Sequence, residues 1–269
     1  MTNAPTPNLK IIPIDAPQPH EEHDSQRSEP LIETIRNAHY VTNPPIVTHT
    51  GDDMYVILDG ANRCHTFAAL GFPYILVQVV SYFSGQVELQ TWNHVISRWD
   101  ATAFLQEVDA LSDVEMTAGM DKHAIAHISL PDGSIFALNA PVDSVHERNS
   151  ALRDVVRIYQ KNATLSRTPL NESAEVWKLY PEADALVFFP GYEPRDIVEA
   201  ARYRSYLPPG ISRHIVQGRA LQLNYPIDYL RDTSEPLEDK NQRLHEWVSE
   251  KLMNREIRYY AEATYQFSE

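Results

Sequence analysis

Apolar and polar positions along this chain follow two periods, and the switch between them near residue 60 is the most informative local pattern. Tyr55-Val56-Ile57-Leu58 is a continuous apolar run of strand formers. Asp59-Gly60 ends it, because glycine tolerates the backbone angles of a sharp turn. From Asn62 the pattern becomes helical: Phe67 and Leu70 lie three apart with Ala68 and Ala69 between them, and Gly71 follows as a C-cap. The stretch therefore predicts strand, tight turn and a helix over Asn62–Leu70.

The flanking pattern extends this unit. Leu9–Asp15 reads as a first strand and Ser28–His39 as a helix burying Leu31, Ile32 and Ile35. Asn43-Pro44-Pro45-Ile46-Val47 restarts an extended chain, since residues before proline avoid the helical region. Gly51-Asp52-Asp53 is a hairpin turn leading into Tyr55. Tyr74–Val80 and the alternating Val87–Trp92 complete a compact α+β unit ending near His94. A first domain over residues 1–95 and a second, mixed α/β domain over 96–269 are expected.

The second half carries weaker signals. Ala101–Leu111 is amphipathic, and Pro131-Asp132-Gly133 predicts a hairpin between His123–Leu130 and Ser134–Leu138. That assignment puts His123 and His127 on one face of a strand. Helices are expected over Ser144–Lys161, Arg195–Arg204 and Pro236–Met253, with Pro194 opening the second of these. Ala185–Phe189 reads as a central strand, Gln217-Gly218 as a hairpin turn and Ile257–Tyr265 as a last strand.

Composition narrows the function. Hydrophobic residues make up 43% of the 269, enough for a packed core. The formal charge of -14 argues against clamping a nucleic-acid backbone, which needs clustered cations. The single cysteine, Cys64, cannot form an internal disulfide; its position in the predicted helix suggests a buried, inert thiol and a reducing, cytoplasmic setting. No apolar run is long enough to span a bilayer.

The turn after Leu58 concentrates the candidate chemistry. Helix N-termini attract anions through free N–H groups, and Arg63 adds a charged fork of donors. Asp59 can hold a metal or take a proton. His20, Glu21, Glu22 and His23 form a second titratable cluster, but they precede a helix instead of sharing one face of it, so a zinc site is not indicated. A solvated turn and an acidic helix start are the plain readings of these two clusters.

Taken together, the motifs resemble the free L-serine kinases with a ParB/sulfiredoxin-like N-terminal domain, both the archaeal ADP-dependent enzymes and the ATP-using relatives from siderophore gene clusters. The matching pieces are Pro19-His20-Glu21, Leu31–Ile35, Pro45-Ile46, Tyr55–Gly60 with Arg63, Leu70-Gly71, Val77-Gln78, Thr91-Trp92 and the run Pro209–Leu223. Asn62 departs from the pattern, which usually has histidine before the motif arginine; asparagine donates to a phosphate oxygen without carrying charge.

The resemblance implies a kinase making O-phospho-L-serine from L-serine and ATP or ADP, with Mg²⁺. It implies Glu21 as general base and Asp59 as the second catalytic carboxylate and candidate metal contact, the ion being held mostly through nucleotide phosphates. It implies phosphate binding by Gly60, Asn62, Arg63 and His20, and serine binding by Trp92, Ser212, Arg213, His214 and Asn37. The second domain would complete the serine pocket. Glu21 and Asp59 are expected to approach each other and so raise one pKa toward neutrality. The alternative is a ParB-like regulator that senses a nucleotide or ligand without turnover. Donor choice, pathway and oligomeric state are not readable from the residues.

Overall fold

The computed structural model describes residues 6–23, 25–51, 54–140 and 144–260. The chain divides into two compact units: Met1–Pro19, His23–Glu88 and Val216–Glu269 form unit 1, and His20–Glu22 with Leu89–Ile215 form unit 2. The main passage from one unit to the other lies at Glu88/Leu89. Two segments depart from a simple division: His20–Glu22 belongs to unit 2, and the C-terminal segment returns to unit 1.

Unit 1 begins with β1 (Leu9–Pro13), β2 (Pro17–Gln18), α1 (Ser25–Arg36), β3 (Tyr40–Val41), β4 (Ile46–His49), β5 (Tyr55–Asp59), α2 (Ala61–Ala69) and β6 (Tyr74–Val80). Five strands make one sheet in the order β1-β6-β4-β5-β2. The β4–β6 and β2–β5 pairs are parallel and the others antiparallel. Tyr55, Val56, Ile57 and Leu58 are all buried, which accounts for a continuous apolar run instead of an alternating one. Helix α1 starts three residues earlier than expected, so Ser28 is a buried residue within it.

Unit 2 contains most of β7 (Val87–Thr91), then β8 (Asn93–Ser97), α3 (Ala101–Asp109), β9 (Glu115–Ala118), β10 (Ala126–Ser129), β11 (Ile135–Asn139), α4 (Val145–Asn162), β12 (Thr164–Thr168), α5 (Ser173–Leu179), β13 (Ala183–Phe188), α6 (Pro194–Arg202) and all but the last residue of β14 (Ser212–Val216). Six strands form a sheet in the order β12-β8-β13-β10-β11-β9, antiparallel at every pairing. As expected, the apolar strand β13 is central. β14 pairs with β7.

Three expectations need correction. His123 sits in a turn before β10 and does not share a strand face with His127. Gln217-Gly218 does form a turn after β14, but it closes no hairpin: β14 pairs with β7, and the Gly218 carbonyl is held by Gln78 of unit 1. Residues Ile257–Tyr260 are not a strand, and the rest of that expected element lies outside the described residues, as do Asp52 and Asp53 of the first hairpin turn.

The C-terminal part of unit 1 is β15 (Tyr225–Pro226), a short 3-10 turn and α7 (Leu237–Met253). Leu244 and Val248 of α7 join Ile11, Ile57, Phe67 and Leu76 in the unit 1 core. The Asn241 amide closes the exposed side of edge strand β1: Oδ1 accepts from Ile11 N–H and Nδ2 donates to Ile11 C=O, both at 2.9 Å. Among the described residues no helix is long and apolar enough to cross a membrane.

Candidate functional site

The Asp59 turn forms as the change of period predicts. β5 ends at Asp59, Gly60 takes φ +90°, and α2 begins at Ala61 without a side-chain N-cap. Any side chain at Gly60 would press on Pro45, 3.0 Å away, and on Arg63 Nε at 3.2 Å, so glycine is required twice over. Arg63 Nη2 donates to Asp59 Oδ2 at 3.2 Å, and its Nη1 donates to the Asn43 carbonyl at 2.5 Å. Arg219 Nη2 donates to the same Oδ2. Burial alone would raise the Asp59 pKa, but the Arg219 and Arg63 guanidinium groups outweigh it and hold the carboxyl below its ordinary range. The turn therefore combines one fixed anion, two cations and an uncapped helix start. Cys64 is buried beside it with its thiol pushed up to about 12, inert as expected.

Glu21 organises a second group in unit 2. Its Oε1 accepts from Ser212 N–H at 2.7 Å and from the Ser212 hydroxyl at 2.6 Å, and its Oε2 accepts from Gly210 N–H at 2.7 Å. Since the Ser212 hydroxyl donates to Glu21, it must accept from His20 Nε2 at 2.7 Å. The His214 ring meets the His20 ring edge-on at 5.5 Å. Burial would raise the Glu21 pKa, yet His20, Ser212 and Gly210 together lower it to about 2. This corrects the expectation of a carboxylate raised toward neutrality. Hydrogen-bond donors surround each carboxylate, so Glu21 and Asp59 are both held low.

Behind Gly210 lies a relay invisible to motif reading. His94 is fully buried; its Nε2 is 3.1 Å from the Gly210 carbonyl and its Nδ1 is 2.7 Å from the Tyr159 hydroxyl. A carbonyl only accepts, so Nε2 carries the proton and Nδ1 accepts from Tyr159. Burial lowers the His94 pKa to about 4, consistent with a neutral ring. Arg167 Nη2 donates to the neighbouring Pro209 carbonyl at 3.3 Å. The 209–212 loop is thus held from both sides, and Glu21 receives its N–H groups in fixed positions.

Arg213 follows on β14. Its guanidinium lies 4.6 Å from the centre of the Trp92 ring and donates to Gln90 Oε1 at 2.7 Å. Trp92 is itself anchored, its N–H donating to the Ile211 carbonyl at 2.7 Å. Unit 2 therefore gathers His20, Glu21, Trp92, Ser212, Arg213 and His214, while Asp59, Gly60, Asn62 and Arg63 belong to unit 1. His20, expected at the phosphates, contacts Ser212 and Glu21. Asn37 lies just past α1 in unit 1, and its amide is engaged by Glu33. A cavity of about 170 Å³ in unit 2 is lined by Arg148, Tyr192, Asp196 and Leu207 among others, and by none of the expected serine-binding residues.

Among the described residues no three histidine, cysteine or carboxylate side chains cluster as a metal site. Asp59, already engaged by two guanidinium groups, suits an ion carried in on nucleotide phosphates, as Mg²⁺ commonly is.

No family model matches the sequence. The chain is 22% identical over 261 residues, 96% of each protein, to the ATP-dependent L-serine kinase SbnI of Staphylococcus aureus. It is 22% identical over 215 residues to the ADP-dependent L-serine kinase SerK of Thermococcus kodakarensis, covering 77% of this chain and 86% of that one. The fold matches a free serine kinase solved in complex with AMP, with a TM-score of 0.71 at 17% identity over 84% of this chain and 95% of the other. The chain is thus similar, in one case nearly end to end, to proteins named as L-serine kinases, and it shares the fold of a free serine kinase.

Proposed function

We propose that this chain transfers a phosphoryl group from ATP or ADP to the hydroxyl of free L-serine, giving O-phospho-L-serine. The observation that carries the reading is the Glu21 carboxylate, fixed by three hydrogen bonds in a chain similar to an L-serine kinase over 96% of its length. A carboxylate accepts about four hydrogen bonds, and three positions on Glu21 are filled. The remaining lone pair on Oε2 can accept the O–H of a bound serine and take its proton as the bond to phosphorus forms. In a loose phosphoryl-transfer transition state the hydroxyl needs orientation first and proton removal late, so a fixed, weakly basic carboxylate can serve.

The other roles follow from chemistry. Arg213, its plane set by Trp92 and Gln90, pairs with the serine carboxylate, and Trp92 limits the side chain to something as small as CH₂OH. Ser212 and His214 complete the serine site. Gly60, Asn62 and Arg63 bind nucleotide phosphates at the start of α2. Asp59 is the residue that would hold a Mg²⁺ carried in on those phosphates, and the ion would supply charge neutralisation there. The region 1–95 is read as a ParB/sulfiredoxin-like nucleotide-binding domain and the protein as cytoplasmic. A sensor without turnover would need neither a carboxylate base at Glu21 nor an arginine fit for an amino-acid carboxylate at Arg213.

Nucleotide consumption measured with L-serine, D-serine and L-threonine tests substrate choice. Turnover with L-serine well above the other two is expected. Equal turnover with all three, or with no amino acid, overturns the serine assignment.

A further inference from the structure

Arg219 is in none of the phosphate-binding roles considered so far, yet it is built into the Asp59 turn. It arrives from a segment 160 positions away in sequence, and its Nη2 shares Asp59 Oδ2 with Arg63. Its Nε is buried and has no hydrogen-bond acceptor. Buried guanidinium donors are rarely left in this condition, because nothing replaces the water they lose.

The backbone around Arg219 is fixed on both sides. Gln78, fully buried in β6, donates from Nε2 to the Gly218 carbonyl at 3.0 Å and accepts at Oε1 from Ala220 N–H at 2.8 Å. Gln222 N–H donates to Asn43 Oδ1 at 3.1 Å, and Leu223 N–H to the Thr42 carbonyl at 2.8 Å. The Asn43 carbonyl is also the acceptor for Arg63. Residues 42–43 thus register both arginines, and Asp59 ties their guanidinium groups together. The three charges sum to one positive charge beside an uncapped helix start. Both arginine side chains keep part of their surface exposed, 23% for Arg63 and 30% for Arg219.

We infer that Arg219 is a second phosphate-binding arginine, that Arg63 and Arg219 form a two-armed clamp for the phosphate groups of the nucleotide, and that Asp59 is the brace between the arms. This deepens the nucleotide reading above and rests on it. An arriving phosphate oxygen supplies the acceptor that Arg219 Nε lacks. Asp59 keeps two like charges side by side before the ligand binds, which pre-organises the clamp.

The test is calorimetric titration of wild type, Arg219→Gln and Arg219→Lys with ADP, pyrophosphate and adenosine at one fixed salt concentration. For Arg219→Gln, ADP and pyrophosphate dissociation constants should rise tenfold or more, with adenosine binding and the serine KM unchanged. Arg219→Lys should fall between, because it keeps the charge and loses the fork. It also serves as the readable variant if the Gln protein melts early. Unchanged ADP affinity in both variants overturns the clamp while leaving the kinase reading intact. Wild-type binding of pyrophosphate but not ADP, lost in Arg219→Gln, supports the clamp and overturns the nucleotide reading. Wild-type binding of neither overturns both.

Discussion

The Ser212 hydroxyl donates a 2.6 Å hydrogen bond to Glu21 across 191 positions of sequence. Ser212 N–H and Gly210 N–H bind the same carboxylate, so Glu21 has two separable roles. It braces the 209–212 loop, and it presents one free lone pair.

Glu21→Gln separates these roles. Removing general-base assistance should lower kcat by roughly two to four orders of magnitude, with nucleotide affinity nearly intact. The amide nitrogen must also face a backbone N–H, at a cost of about 1–3 kcal/mol in stability. Steady-state kinetics beside a denaturant melt checks both. A lower Tm with wild-type kcat would reduce Glu21 to a loop brace.

Acid should weaken the protein through the same contact. The Glu21 pKa is depressed from an ordinary 4.5 to about 2 on folding, so its contribution is fully present above about pH 4.5. That contribution is lost as pH falls toward about 2, because the unfolded chain binds the proton first. Asp59 has the same sign. Denaturation from pH 7 to pH 3 should show the stability gap between wild type and Glu21→Gln shrinking below about pH 4.5. A gap that stays constant through that range would contradict the ionised, hydrogen-bonded state.

Arg213→Lys keeps charge and loses the planar fork and much of the stacking on Trp92. The serine KM should rise about tenfold or more, in keeping with the 1.5–3 kcal/mol of a charged hydrogen bond. Nucleotide binding should not change, since the phosphate residues belong to unit 1 and Arg213 to unit 2. An unaltered serine KM, or a loss of nucleotide affinity, would require a different carboxylate partner.

Tyr159→Phe removes the donor to His94 Nδ1 inside the core. The orphaned acceptor should cost about 1–3 kcal/mol, readable by chemical denaturation. Nitrogen NMR of wild type should find His94 protonated at Nε2 and neutral at pH 7. A protonated Nδ1 would break the assigned relay.

What was readable in the sequence was local. The strand, turn and helix around Gly60 follow from residues within a few positions of one another, so their periodicity locates them almost to the residue. The turn at Gln217-Gly218 forms but closes no hairpin, because local turn chemistry cannot register Gln78, 140 positions away, which holds the Gly218 carbonyl. Arg219 escaped notice for the same reason: its partner Asp59 is 160 positions distant. His94 and Tyr159 sit in apolar stretches where a buried polar pair leaves no periodic trace. Ile257–Tyr260 have strand propensity but no partner strand among the described residues, and propensity alone does not make a strand.

The most direct measurement is detection of the product itself. Purified protein incubated with L-serine, Mg²⁺ and either ATP or ADP should yield O-phospho-L-serine by ³¹P NMR and mass spectrometry, and Glu21→Gln should yield little under the same conditions. Absence of O-phosphoserine with both nucleotides, or equal yields from wild type and Glu21→Gln, would contradict the account.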